Sequence, residues 1–162
     1  MAALPIGIPR PQPEWRPLRE DDLADVAALE AKIHAAPWTI GNFRDALTAG
    51  YSTWVGERES RIVAYGVWLP SPEEAQILNL SVVPDARREG IGRALLQRFV
   101  EDARHLHTGQ VFLEVRASNV AAIKLYESAG FVRVGRRAHY YPSIALELAR
   151  EDALVMRLRL AE

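Results

Sequence analysis

The stretch Val83-Pro84-Asp85-Ala86-Arg87-Arg88-Glu89-Gly90-Ile91-Gly92-Arg93 joins an apolar strand, Ile77 to Val83, to an amphipathic helix that starts near Ile91. Pro84 has no amide hydrogen for a sheet ladder, so the strand ends there. Gly90 and Gly92 let the backbone approach a ligand with no Cβ in the way. The first N–H groups of a helix lack intrahelical partners and carry the positive end of its dipole. Strand, basic glycine-containing loop and helix start together form a site for a phosphorylated ligand. A P-loop would need a Gly-Lys-Ser/Thr ending, which is missing, and Arg93-Ala94-Leu95 supplies no third glycine for a dinucleotide fingerprint. A basic surface turn would carry the same residues, so the loop alone leaves both readings open.

What remains is Arg87-x-x-Gly90-x-Gly92, which resembles the acetyl-CoA pyrophosphate loop of the GNAT N-acetyltransferase superfamily. A second block, residues 113–131, reads Leu-Glu-Val-Arg-Ala-Ser-Asn-Val-Ala-Ala-Ile-Lys-Leu-Tyr-Glu-Ser-Ala-Gly-Phe and is similar to the final strand and helix of that superfamily. Within it, Leu113 to Asn119, Tyr140-Tyr141-Pro142 and Glu151-Asp152-Ala153 resemble the RimI family, the ribosomal-protein alanine N-acetyltransferases. Pro37-Trp38 and Asn79-Leu80-Ser81-Val82 fit the same family, and the resemblance runs over about residues 14–160.

The resemblance implies an α/β fold with a mixed sheet, in which the fourth and fifth strands splay apart to admit the pantetheine arm of acetyl-CoA. It implies that Arg88, Glu89, Gly90, Ile91, Gly92 and Arg93 hold the pyrophosphate through backbone N–H groups, with the Arg87, Arg88 and Arg93 side chains nearby. Leu80, Ser81 and Val82 would pair through their backbones with the pantetheine amides, as an added strand would. Ser81 departs from the family's more usual apolar residue, a change that a backbone contact tolerates. Asn119 would cap the following helix and hydrogen-bond the cofactor. No metal or redox cofactor is implied.

The bulk properties fit a single ordinary domain. The chain has 162 residues, 49% apolar and 25% charged, enough for a core of its own. No run approaches the length of a membrane span, and the proline-broken start, Met1 to Pro9, does not read as a signal peptide. A cytoplasmic location is the expectation. Zero cysteines exclude disulfides and thiolate chemistry, and a net charge of −1 gives no basic field for nucleic acid. The histidines, His34, His105, His107 and His139, form no metal motif.

Residues 1–13 carry four prolines and read as a flexible arm, with residues 14–162 forming one domain. Glu14 to Arg19 reads as a first strand, and Asp21 or Asp22 as the cap of a helix running through His34. Thr39 can cap a second helix, Ile40 to Ala49. Strands follow at Tyr51 to Arg58 and Arg61 to Leu69, with Glu59-Ser60 as their hairpin turn, and at Glu74 to Val83. A third helix spans Ile91 to His107, a strand Gln110 to Arg116 and a fourth helix Asn119 to Ala129, ended by Gly130. Phe131 to Arg137 and Ala153 to Leu160 complete the order β-α-α-β-β-β-α-β-α-β-β, a mixed sheet with helices on both faces.

Acetyl transfer to an amine needs a neutral nucleophile. Roughly a quarter of an α-amino group is neutral at pH 7.4, against roughly 0.1% of a lysine side chain. A base for the amine and an acid for the departing thiolate therefore both help. Val111, Leu113 and Val115 alternate onto one strand face, which puts Glu114 on the other with Phe112 and Arg116. Apolar flanks disfavour a carboxylate's charged form, which suits a base near neutrality. A solvent-facing glutamate paired with Arg116 would have the same spacing. The resemblance assigns the base to Glu114 and the acid that protonates the CoA sulfur to Tyr126, a residue whose helical position otherwise reads as core packing. Trp38, Tyr140 and Tyr141 are candidates for the peptide groove. The segment Ser143 to Arg150 is longer and more apolar than the family pattern, which opens the question of the acceptor. The expected acceptor is a protein N-terminus, an alanine-starting ribosomal protein foremost. The alternatives are a lysine or small polyamine, or a non-catalytic acyl-CoA-binding module.

Overall fold

The computed structural model describes residues 10–141 and 151–160. Among the described residues, seven strands and four helices follow the expected order. They are β1 (Glu14–Arg16), α1 (Leu23–Ile33), α2 (Ile40–Thr48), β2 (Ser52–Arg58), β3 (Arg61–Leu69), β4 (Glu74–Val82), α3 (Ile91–His105), β5 (Gln110–Arg116), α4 (Val120–Ser128), β6 (Val132–Tyr141) and β7 (Glu151–Arg159). They build one sheet in the order β1-β2-β3-β4-β5-β7-β6, antiparallel throughout except for β4 against β5.

Local chemistry explains most boundaries. Thr39 caps α2 reciprocally: Asn42 N donates to Thr39 Oγ1 at 3.1 Å and Thr39 N to Asn42 Oδ1 at 2.9 Å. Ala122 N donates to Asn119 Oδ1 at 3.2 Å, so Asn119 caps α4 as expected. Glu59 and Ser60 both have positive φ, 52° and 63°, the backbone twist that a two-residue hairpin turn needs. At Gly130, φ is +100°, and Phe131 N returns to Tyr126 O at 3.0 Å to close α4.

Three expectations need correction. β1 stops at Arg16 because Pro17 cannot continue the ladder, and Leu18 N turns instead to Thr53 Oγ1 at 3.0 Å. Asp22 does not cap α1 with its side chain; it accepts from Arg16 Nη1 at 2.7 Å, Arg16 Nη2 at 2.9 Å and Arg19 N at 2.8 Å. β6 runs to Tyr141 rather than Arg137, because Glu151 of β7 pairs with Tyr141 across an irregular stretch. Of the expected arm, residues 1–9 lie outside the described residues, while residues 10–13 are anchored. Pro13 is buried, Arg58 Nη1 donates to Pro11 O at 3.4 Å, and Arg10 Nη1 donates to Asp85 O at 3.1 Å. The segment Ser143 to Arg150 and the side chains of Tyr140 and Tyr141 also lie outside the described residues.

Two cores flank the sheet. On one face Leu95 and Phe99 of α3 and Ile123 and Tyr126 of α4 pack on Ala64, Trp68, Ile77 and Leu113. On the other, Leu23 and Val26 of α1 and Phe43 and Ala46 of α2 pack on Val55, Tyr65 and Val67. Gly66 is required here by contact: a Cβ at that position would meet Phe99 Cε2 at 2.7 Å. Among the described residues no helix is long and apolar enough to cross a membrane.

The middle of the sheet does not close. β4 and β5 pair only from Glu74↔Gln110 to Ile77↔Leu113, and beyond that point β5 continues against β7 while β4 continues against β3. The register of β4 against β3 slips there: Val67 faces Asn79 while Trp68 faces Ile77, leaving Leu78 as the extra residue of a bulge. A bulge bends its strand and increases local twist, which carries the second half of β4 away from β5.

Candidate active site

The opening between β4 and β5 exposes a usable strand edge. Val83 N donates to Val63 O at 2.9 Å, so residues in step with Val83 turn their backbone toward β3. The alternate residues, Leu80 and Val82, therefore direct their N–H and C=O groups into the gap. Ser81 is out of step with them. Its backbone faces β3, and its contribution is the side chain, 3% exposed on the α1 side of the sheet. Of the three residues expected to present backbone to a pantetheine, two have the geometry.

The loop after β4 ends in a cradle. Pro84–Ala86 form one 3-10 turn, Arg88 has φ +64° and Gly90 has φ +80° as the residue before α3. A left-handed arginine is uncommon, and such strain collects where a loop must aim its amides. The amides of residues 88–93 have no backbone acceptor among the described residues. A Cβ on Gly90 would meet nothing within 4 Å, and one on Gly92 would touch Leu125 Cδ2 at 3.4 Å and Val82 Cγ2 at 3.6 Å. The Gly90 side of the loop is thus open, Gly92 lies against Leu125 and Val82, and the unpaired amides sit at the positive end of α3. A pyrophosphate fits this donor set.

Three of the charged side chains here, Glu89, Arg87 and Arg93, serve to hold the structure. Glu89 accepts from Arg58 Nη1 at 2.9 Å, where the Arg58 side chain is 4% exposed, and from Arg10 Nη1 at 3.4 Å. Its negative charge is thereby turned away from the cradle, and its amide is what remains for a ligand. Arg87 Nε donates to Val82 O at 3.3 Å, and Arg93 Nη2 to Ser128 Oγ at 3.0 Å, tying α3 to α4. Arg88 is exposed. Ile91 is 1% exposed, a core residue that offers only backbone to the cradle.

Below the bulge lies a cleft of about 170 Å³ whose lining includes His34, Trp38, Leu80, Glu114, Asn119 and Tyr126. The two expected catalytic residues thus share one cavity with the cofactor strand. Tyr126 is 7% exposed and its ring packs at 5.9 Å from that of Phe131. Glu114 also lines a second groove, of about 240 Å³, with Glu74, Gln76, Phe112 and Val155. It stands where the two spaces meet.

The surroundings of Glu114 differ from the apolar pocket expected. Arg137 Nη1 of β6 donates to Glu114 Oε1 at 2.6 Å. Arg116 is paired elsewhere, with Glu151 Oε2 at 3.2 Å. Glu151 also accepts from Ser118 N at 2.7 Å. Hydrogen bonding from Ser118, with Arg116 adding to it, holds the Glu151 carboxyl below its ordinary value.

One part of the cleft wall escaped the sequence reading. Glu30 of α1 is 2% exposed and gathers donors from three elements: Tyr65 Oη at 2.8 Å, Trp38 N at 3.0 Å and Asn79 Nδ2 at 3.2 Å from each carboxylate oxygen. Burial and the adjoining Glu30 charge hold the Tyr65 phenol protonated, well above its ordinary value. Trp38, fixed by this bond and by a tilted ring contact with Phe43 at 5.1 Å, forms part of the cleft's lining. The signal was present, since Leu23, Val26 and Glu30 share one helical face and a carboxylate stands on its buried stripe.

The acetyltransferase (GNAT) family model matches residues 15–131. The chain is 36% identical over 141 residues to the [ribosomal protein bS18]-alanine N-acetyltransferase of Escherichia coli strain K12, covering 87% of this chain and 93% of that protein. It is 35% identical over 147 residues to N-alpha-acetyltransferase RimI of Mycobacterium tuberculosis, covering 86% of this chain and 88% of that protein. Its structure is similar to the crystal structure of the ribosomal-protein-S18-alanine N-acetyltransferase from Escherichia coli, with a TM-score of 0.84, 34% identity and coverage of 92% of this chain and 94% of that one.

Proposed function

The chain belongs to the acetyltransferase (GNAT) family, and from that premise we propose that it moves the acetyl group of acetyl-CoA to the N-terminal α-amine of a protein, foremost an alanine-starting ribosomal protein. The observation that carries the reading is the position of Glu114. Its carboxylate borders both the cleft beneath the parted strands and the groove that continues toward Glu74 and Gln76. A thioester delivered down the first space and an amine arriving along the second would meet at that side chain.

Acetyl-CoA supplies the activated acyl group, and the chain supplies binding, orientation and proton transfer. The amides of 88–93 hold the pyrophosphate, Leu80 and Val82 extend the sheet by one strand of pantetheine, and Asn119 stands at the start of α4 beside it. Glu114 accepts a proton from the attacking nitrogen. Tyr126, on α4 across the cleft, donates one to the departing sulfur. Transfers of this kind contribute about 10²–10⁴-fold each. The Arg137 ion pair orients Glu114 and ties it to the strand that borders the acceptor side.

A peptide that starts with alanine and carries lysines downstream tests the reading. Mass spectrometry should find one acetyl group on the terminal nitrogen, and formylation of that nitrogen should abolish the reaction. Comparable turnover of the blocked peptide would move the assignment to lysine. Acetyl-CoA binding without transfer to any amine would leave a binding module.

A further inference from the structure

The wall that Glu30 anchors ends in a titratable group to which the chemistry above gives no task. His34 lies one helical turn beyond Glu30, and its Nε2 is 2.8 Å from Ser81 Oγ and 3.4 Å from Glu30 Oε1. The proton positions along this chain follow from what each atom can offer. A carboxylate has no hydrogen to give, so Asn79 must present its Nδ2 to Glu30, which turns its Oδ1 toward Ser81 Oγ, 2.7 Å away. Two oxygens at that distance repel unless a hydrogen lies between them, so Ser81 donates to Asn79. The serine oxygen then has only lone pairs left for His34, and Nε2 must be the donor. In a neutral imidazole this leaves Nδ1 as a bare lone pair. Among the described residues no hydrogen bond reaches Nδ1. The relay through Ser81 and Asn79, with Glu30 behind it, selects the tautomer.

We infer that His34, through Nδ1, takes the first of the two protons that an acceptor α-ammonium must shed, and that Glu114 takes the second; this rests on the α-amine reading of the site. The proton balance calls for two acceptors. The overall change turns an ammonium and a thioester into an amide, a thiol and one free proton. Nitrogen loses one proton before its lone pair can attack, and another as the C–N bond forms and the C–S bond breaks. The second, accepted by Glu114, is matched by the hydrogen that Tyr126 gives the sulfur, so those two transfers cancel. The first must leave the site. Glu114 already accepts from Arg137 on one oxygen, whereas the His34 side chain is 39% exposed and can pass a proton to water.

The charges around His34 fit that task. Glu30 lies on its own helix, Tyr65 on β3, Asn79 and Ser81 on β4, and Arg87 on the loop after it. Arg116 and Glu114 of β5 and Tyr126 of α4 line the same cleft. Burial pushes the imidazole below its ordinary 6.5, Glu30 pulls it upward, and Arg87 and Arg116 push it down again. The ring is therefore neutral at pH 7 and free to accept. Once Nδ1 is protonated the whole ring is charged, and Glu30, 3.4 Å from its Nε2 end, stabilises the transient imidazolium.

Two measurements test the assignment. Nitrogen-15 NMR of the labelled wild-type protein at pH 7.5 should show His34 protonated at Nε2 and bare at Nδ1; the opposite tautomer overturns the proposal whatever the acceptor. The second is kcat/KM of His34→Gln on an alanine-starting peptide between pH 6.5 and 9.5. At pH 6.5 about one-twentieth of such an amine is neutral, so the variant should fall up to ~20-fold below wild type and rejoin it above pH 9. On a peptide starting with trifluoroalanine, whose amine is already neutral at pH 6.5, the defect should disappear. A deficit that is the same at every pH and on both peptides marks His34 as structural and sinks the inference. A wild-type enzyme that leaves every α-amine untouched sinks the reading beneath it instead, and that failure is recognised without any variant.

Discussion

The two walls of the cleft are made of different material. On the proposed cofactor side the groups are backbone: the amides of residues 88–93 and the β4 edge at Leu80 and Val82, where Val82 O also accepts from Arg87 Nε. Most of the charged side chains there are spent on structure, Glu89 on Arg58 and Arg93 on Ser128, while Arg88 is exposed. On the proposed acceptor side the groups are side chains, and each is positioned by a bond to another element of the fold. Arg137 holds Glu114, Glu30 holds Trp38, and Ser81 holds His34. A wall of backbone tolerates sequence change so long as its conformation survives, and it recognises what is constant in a ligand. A wall of paired side chains is tuned by single substitutions, which suits the partner that varies.

The comparison breaks first where the side-chain wall does chemistry. Glu114→Gln and Tyr126→Phe should each lower kcat by about 10²–10⁴-fold while acetyl-CoA affinity, read by calorimetry, stays within about twofold of wild type. Wild-type rates in both variants would make the pair structural.

The backbone wall should show the converse split. In Gly92→Val the added atoms crowd the start of α3 beside Val82, and the nearest protein neighbour of a Cβ there is Leu125 Cδ2 at 3.4 Å, an ordinary contact at the end of a flexible side chain. The variant should fold, bind acetyl-CoA about tenfold or more weakly, a loss of about 1.4 kcal/mol, and approach wild-type kcat at saturation. Unchanged affinity in the folded variant would remove the cradle from the argument.

The smallest effect lies at the root of α1, outside both walls. Arg16 holds the Asp22 carboxyl below its ordinary 3.8, chiefly by hydrogen bonding and against the cost of burial. A depressed carboxylate contributes stability that is present above its unfolded value, about 3.9, and is lost as pH falls through the lower folded value. Asp22→Asn should therefore cost about 1–2 kcal/mol in urea unfolding at pH 7, and the gap to wild type should close in acid. Activity per folded molecule should not change. A variant whose catalysis falls in step would show that α1 transmits strain to His34 and Trp38.

The same contrast accounts for what could be read from the residues alone. The cradle was legible because its parts are consecutive: Pro84 ends a strand, Gly90 supplies a positive φ, and the helix follows at once. The caps Thr39 and Asn119 were legible for the same reason, since cap and target lie three residues apart. The Glu114–Arg137 pair spans 23 positions and two strands with β7 between them, so it depends on sheet order, which no local pattern carries. Glu30 was overlooked through its class: a helix glutamate reads as solvated unless its place on the stripe of Leu23 and Val26 is weighed. Ser81 was misjudged in role because alternation along β4 decides which residues face the gap, and only the bond from Val83 to Val63 sets the phase.

The parting of β4 and β5 has a mechanical consequence. Past Ile77 and Leu113 the sheet is two plates joined at one end, β1 to β4 on one side and β5 to β7 on the other, with the bulge at Leu78 as the crease. Plates joined at one edge can flex about it, and the free edges at the far end carry α3 behind one plate and α4 behind the other. On the proposed function, a pantetheine chain laid along the β4 edge would act as a splint between them. It would fix the opening at which Glu114, on one plate, and the thioester carried by the other come into register. In such a device the first substrate to bind sets the shape of the place where the second will react.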